Sequence, residues 1–221
     1  MTPYVNVVID AKKDKEMLKL SNIAQAKASV YLYLIIAGSS SYTPYRYSFS
    51  LIEPQNETMS FNDNNVQFRF VPTAEYIRMS IKNMTDQEIF FVRDNAEFID
   101  SSGVTRRIHY GNDYVGEVLS FVRENKYHAT PMKIEPDSVI TGNVWINIWP
   151  DFCIGESRNS SYSYEIYNLM EPFFPRYSFE GRGQNLKGST FNLVLPIDSG
   201  GYVQNYSFAF MINDLVDKSG L

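Results

Sequence analysis

The sequence predicts an all-β protein, an antiparallel β-sandwich of immunoglobulin-like type with about eight to ten strands and at most short helices. Three observations predict it. Beyond residue 45 apolar and polar residues alternate with a period of two, the mark of strands with one buried face. Aromatic residues make up 15% of the chain, with 16 Tyr and 15 Phe, and both types suit a pleated, half-buried surface. Turn chemistry recurs at short intervals while helical periodicity stays weak. A barrel is the main competing architecture. No internal repeat stands out at a fixed period, which argues against propellers and solenoids.

The first element is a targeting segment. Residues 17–38 place Lys19 and Lys27 ahead of an apolar run from Val30 to Ala37, followed by small residues. That is the layout of a secretory signal, with Ala37 and Ser39 as the small pair at the exit. The run is much shorter than the roughly 20 apolar residues that span a bilayer. Tyr31, Tyr33 and their branched neighbours suit a buried strand equally well, so the same stretch also reads as one. The domain division is therefore residues 1–38, an upstream extension plus the signal-like segment, and residues 39–221, one sandwich domain.

Strands follow. Val66, Phe68 and Phe70 share one face against Gln67 and Arg69 on the other. Ile77, Met79 and Ile81 alternate with Arg78, Ser80 and Lys82, and a polar break from Asn83 to Gln87 precedes the apolar run from Ile89 to Val92. This pair of runs reads as a hairpin. A second hairpin joins Ala96–Ile99 to Val104–His109 through Asp100-Ser101-Ser102-Gly103, where Gly103 can take a positive φ. In the run from Val139 to Trp149, Val144, Ile146 and Ile148 share one face and Trp145 and Trp149 the other, so both faces are expected to be covered. The last strands are Phe191–Leu195 and Tyr206–Ile212, joined through Ser199-Gly200-Gly201. Only 116–125 and 163–170 have helical character. Between Pro150 and Gly188 the chain is rich in Ser, Asn, Gly, Arg and Tyr and reads as long loops at one end of the sandwich, where function often resides.

Charge and cysteine content exclude some functions. The net charge of -5 supplies no basic field to recruit nucleic acid phosphates. A single cysteine, Cys153, makes neither an intramolecular disulfide nor a multi-thiolate zinc site. His109 and His128 have no ligand-spaced partner, and no HExxH, CxxC or GxSxG spacing is present, so no metal, cofactor or catalytic residue is assigned. His109 reads as a polar residue at a strand end. Cys153 becomes a nucleophile only if a histidine reaches it in space. The segment Gly181 to Ser189 has the wrong order for a phosphate loop, because Lys187 precedes Gly188 and a strand follows. It reads as a flexible basic loop, or as a local anion or glycan contact through Arg182 and Lys187. Tyr162, Tyr164, Tyr167 and Tyr177 are the loop aromatics best suited to a ligand platform. Phe173 and Phe174, between Pro172 and Pro175, are expected to plug the end of the core. Four Asn-x-Ser/Thr sites, at Asn56, Asn83, Asn159 and Asn205, matter only in a eukaryotic secretory pathway.

Several phrases taken together carry a resemblance: Ile81 to Thr85, Asp94 to Gly103, Arg107 to Gly111, Ile134 to Ser138, Phe191 to Ile197 and Tyr206 to Phe210. Over roughly residues 49 to 212 the chain resembles a loosely defined group of bacterial cell-envelope proteins, often lipoproteins, that carry an immunoglobulin-like β-sandwich. The resemblance implies mainly location, export to the periplasm or outer membrane, and carries no established activity with it. Leu34 to Gly38 is similar to the residues before a lipidated cysteine, but Ser39 stands in that place. Either the signal is an ordinary cleaved one or a cysteine was replaced, and peripheral membrane association would require lipidation. The expected function is non-enzymatic binding of a partner protein or envelope polymer through the loops. The alternatives are a carbohydrate-binding module using the aromatics of 162–177, and an envelope hydrolase with a loop-assembled site.

Overall fold

Alternating phenyl rings decide how the strands of this protein face one another. In the computed structural model, which describes residues 44–124, 128–147 and 171–217, Phe68 and Phe70 project from β4 (Val66–Pro72). They meet Tyr206, Phe208 and Phe210 of β12 (Tyr202–Asp217) across the core. The ring centroids of Phe70 and Phe208 are 4.8 Å apart, and those of Phe68 and Phe208 5.0 Å. Each such ring buried contributes about 1.5–3 kcal/mol relative to exposure. Chain contacts divide the molecule into Met1–Tyr42 and Thr43–Leu221; the signal-like segment and its strand alternative lie outside the described residues.

All paired strands are antiparallel, as expected of an all-β protein. The hydrogen-bonded path begins at β2 (Gln55–Asn56) and β1 (Tyr45–Glu53), then β12 and β11 (Thr190–Ser199). It continues through β7 (Glu97–Ile99), β8 (Thr105–Gly111), β10 (Val139–Ile146), β5 (Ile77–Asn83) and β4 to β3 (Ser60–Asn62). Beside it, β6 (Ile89–Phe91) pairs with β11 and with β9 (Met132–Ile134). Among the described residues this makes twelve strands, where about eight to ten were expected; the two-residue β2 and the three-residue β3 and β9 are too short to show alternation. The ends of the path, β2 and β3, are neighbours in sequence, so the path curls towards closure as a barrel would.

The strand β8 belongs to both halves of this path. Its first three residues, Thr105 to Arg107, pair with Ile99 to Glu97 of β7. Its last four, Ile108 to Gly111, pair with Ile146 to Asn143 of β10. The predicted hairpin over Asp100 to Gly103 is present, with Gly103 at φ 84°, and so is the β11–β12 hairpin, with Gly200 and Gly201 at φ 65° and 91°.

The predicted hairpin between the runs at Ile77 and Ile89 is not formed. β5 pairs instead with β4 and β10. The cause lies in Asn83, wholly buried. Its Nδ2 donates to the carbonyls of Gln87 at 2.6 Å and Ile134 at 3.1 Å, and its Oδ1 accepts from Thr85 N at 2.9 Å. The side chain turns the backbone and ties it to β9, so β6 enters the other half of the path. Buried with all its polar groups occupied, Asn83 is also closed as a glycosylation acceptor.

The expectation that both faces of the Val139 run are covered holds from Val144 to Ile146, whereas Val139 and Thr141 at its start are exposed. Val144 and Ile146 enter the main core, while Trp145 packs under helix α1 (Tyr114–Glu124) with Tyr114 and Val118. Asp113 caps this helix, its Oδ1 accepting from Gly116 N at 3.0 Å. The second stretch with helical character, 163–170, lies outside the described residues. No helix among the described residues is long and apolar enough to cross a membrane.

Candidate functional site

Two tyrosines on β1 build the end of the molecule that carries the candidate site. On its free edge β1 meets the segment after Glu171: Tyr45 N donates to Arg176 O at 2.8 Å, and Tyr47 Oη donates to Pro175 O at 2.7 Å. Tyr45 Oη donates to Gly181 O at 3.2 Å and lies 3.2 Å from Gln184 Oε1. Gly183 is buried against both rings, and a Cβ there would lie 2.6 Å from Tyr47 Oη. Burial, with the neighbouring Tyr45 and Glu180 adding to it, pushes the Tyr47 hydroxyl well above the ordinary tyrosine range, so it stays a donor. The loop read as flexible is thus pinned from below.

Phe173 and Phe174 are buried, with 9% and 7% exposure, and plug the core as expected. Phe98 meets Phe173 at 4.8 Å and Phe191 meets Phe174 at 5.2 Å. Phe174 N donates to Ala74 O at 3.1 Å, and an ion pair between Arg106 and Glu171 anchors the start of the segment.

Above these rings lies a cavity of about 240 Å³. Its floor is Phe173, Phe174 and Phe191. The β7–β8 turn forms one wall with Asp100, Ser101 and Ser102, and Ser189 and Thr190 stand on another. Arg182 completes the rim, exposed; its carbonyl accepts from Asn185 N at 3.1 Å, while its guanidinium has no hydrogen bond or ion pair to another described residue. Asp100 Oδ1 accepts from Ser102 Oγ at 2.6 Å, Ser102 N at 2.9 Å and Val104 N at 3.0 Å. The Ser102 hydroxyl chiefly holds the Asp100 carboxyl below its ordinary range; slight burial works against this, and the turn amides and Arg106 add to it.

The structure separates the residues that the sequence grouped. Arg182 lines the cavity, whereas Lys187 does not and pairs with Asp214 at 2.8 Å. Tyr177 stacks on Phe179 at 5.4 Å with rings 7° from parallel, and the Arg176 guanidinium stands 5.9 Å over the Tyr177 ring. Arg176 is itself held by Glu180, its Nη2 donating to Oε1 at 2.7 Å. Tyr162, Tyr164, Tyr167 and Cys153 lie outside the described residues.

His109 lies near the end of β8, the strand-end place expected of it, and is enclosed there. It is 3% exposed, because α1 folds back over β8 and encloses it with Tyr114 and Trp145. Its Nε2 lies 3.1 Å from Glu117 Oε2, which also accepts from Arg93 Nη1 at 3.2 Å. Burial raises the Glu117 carboxyl, but the His109 hydrogen bond and the His109 and Arg93 charges outweigh it, and the group ends below its ordinary range. The cluster joins a 3₁₀ turn (Arg93–Asn95), β8 and α1. Glu117 and Arg93 were missed from sequence; the sign was an acidic residue in the first turn of a helix soon after a strand histidine. His128 is exposed and pairs with Asp94 at 2.9 Å. Among the described residues no three His, Cys, Asp or Glu side chains gather to hold a metal. No known protein family, curated protein or solved structure matches the chain.

Proposed function

We propose that this chain is a non-enzymatic binding protein of the bacterial cell envelope, periplasmic or outer-membrane associated, that holds a partner protein or envelope polymer through the loops at its tyrosine-anchored end. Its finer architectural class in this reading is an immunoglobulin-like β-sandwich. The observation that carries the reading is the cavity with an aromatic floor and, at its rim, the Arg182 guanidinium without a partner among the described residues. A few convergent polar groups over an apolar floor are the usual make-up of a ligand site. The signal-like segment 17–38 and the resemblance to envelope proteins support the address. Among the described lining residues there is one carboxylate, Asp100, and glycoside hydrolysis calls on two, so the lining supports binding over hydrolysis.

The test is retention from a bacterial envelope extract on immobilised protein, compared with the Arg182→Ala variant. Selective retention by the unaltered chain, reduced in the variant, is expected; equal retention by both overturns the role of this end. A second reading, a carbohydrate-binding module using the loop aromatics, is favoured by the stack of Arg176, Tyr177 and Phe179. A glycan array probed with Tyr177→Ala checks it, and unchanged binding removes Tyr177 from the platform.

A further inference from the structure

We infer that the cavity rimmed by Arg182 takes one sugar-acid ring, a hexuronate or similar unit of an acidic glycan. The inference rests on the reading of this end as a binding surface and names the ligand class of that surface.

Size sets the first limit. The cavity of about 240 Å³ is of a size to take a small ligand such as one sugar ring. Larger organic ligands occupy pockets of about 300–1,000 Å³. Chemistry sets the second. The Arg182 guanidinium is a planar fork of donors that matches a carboxylate at two points, and here it has no partner among the described residues. Asp100 spends Oδ1 on three donors of its own turn, and its other oxygen is an acceptor for ligand hydroxyls. Ser101, Ser189 and Thr190 add hydroxyls that both donate and accept. Phe173 and Phe174 offer an apolar floor to a C–H face.

A ligand complementary to all of these has a carboxylate, several hydroxyl donors and an apolar ring face. A peptide carboxyl terminus answers Arg182 and the floor but leaves Asp100 and the wall hydroxyls unmatched. A neutral sugar leaves Arg182 unmatched. A phosphate brings a larger negative charge towards the Asp100 carboxylate without using the floor. The sugar acid answers every group.

The test titrates the full chain with sodium glucuronate, glucose and sodium acetate, followed by calorimetry and by the amide signals of Ser101, Ser102, Ser189 and Thr190. Glucuronate is expected to bind and to move these signals, with glucose and acetate each roughly tenfold weaker. Arg182→Ala is expected to weaken glucuronate roughly tenfold, the scale of one charge-assisted contact. Lys187→Ala, altered outside the cavity, is expected to bind as the unaltered chain does. Absence of glucuronate binding, equal binding of glucose or of acetate, an unchanged Arg182→Ala, or an equal loss in Lys187→Ala each overturns the inference. Retention from envelope extract that glucuronate does not compete sinks the inference and leaves the binding role standing. Glucuronate binding by a chain that retains nothing from the extract does the reverse.

Discussion

The Tyr47 hydroxyl and the Pro175 carbonyl, 2.7 Å apart, tie β1 to the segment that floors the cavity. Replacing Tyr47 by Phe removes this bond and leaves the carbonyl unpaired in a partly buried place. Chemical denaturation should show a loss of about 1–3 kcal/mol. An unchanged midpoint would mean that the bond contributes nothing.

Gly183 sits against the same tyrosines for reasons of space. A Cβ would approach Tyr47 Oη at 2.6 Å and Tyr45 Cδ2 at 2.8 Å. Gly183→Ala should therefore cost about 1–3 kcal/mol by overpacking, and should displace Arg182 enough to weaken ligand binding. Thermal unfolding and a ligand titration on one sample check both effects.

Asn83→Ala should be among the most damaging polar substitutions. It strips the buried Ile134 carbonyl of the Asn83 amide, at a cost of about 1–3 kcal/mol for a buried group left unpaired, and leaves the Gln87 carbonyl with Thr85 Oγ1 as its donor, at 2.9 Å. Unfolding in urea measures it, and a loss below about 1 kcal/mol would show that the turn rearranges to recover the bonds.

Alkaline pH should unfold the protein early. Burial, with the Asp63 charge and hydrogen bond adding to it, pushes the Tyr206 hydroxyl from 10.0 to about 12. A group whose pKa rises on folding stabilises the native state below its unfolded value, and that contribution is lost as pH climbs from 10.0 to about 12. Tyr206→Phe should flatten this part of the stability profile. A slope as steep as that of the unaltered chain would assign the effect elsewhere.

At the acid side the sign reverses. Partial burial raises the Glu180 carboxyl, but hydrogen bonds from the Arg176 side chain and amide outweigh it, so the group sits below its ordinary 4.5. Its contribution is full above 4.5 and is lost as pH falls through the lower folded value. Glu180→Gln should lose stability at neutral pH and show a shallower acid slope, read by denaturation at a series of pH values.

How much of this was legible in the sequence depended on how far each signal reached along the chain. The β11–β12 and β7–β8 hairpins were legible because alternation and turn residues lie within one short stretch. The pairing of β5 was not, since alternation names the buried face of a strand and is silent about its neighbour. One side chain, Asn83, sent the chain elsewhere through a bond to Ile134, 51 positions away. The cavity was only half legible. Arg182 and Lys187 look alike in sequence, and only the placement of Asp214 on β12 engages one of them. Asp100, Phe173 and Thr190 converge from segments that share no local pattern. The strand-end place of His109 was legible but its burial was not, because nothing in the strand announces that the following helix will cover it.

The sharing of β8 between two ladders has a kinetic meaning. Arg107 and Ile108 are consecutive residues, registered with Glu97 of β7 and with Ile146 of β10, and their backbone bonds cross over: Arg107 O accepts from Asn147 N at 2.8 Å, while Ile108 N donates to Ala96 O at 3.2 Å. Neither ladder can peel away without freeing part of the same strand, which couples the openings of the two halves. Hydrogen exchange at Ile108 and Tyr110 should then proceed only through global unfolding, and the molecule should yield as one cooperative body, so that a nick or a pull at either rim is felt at the other.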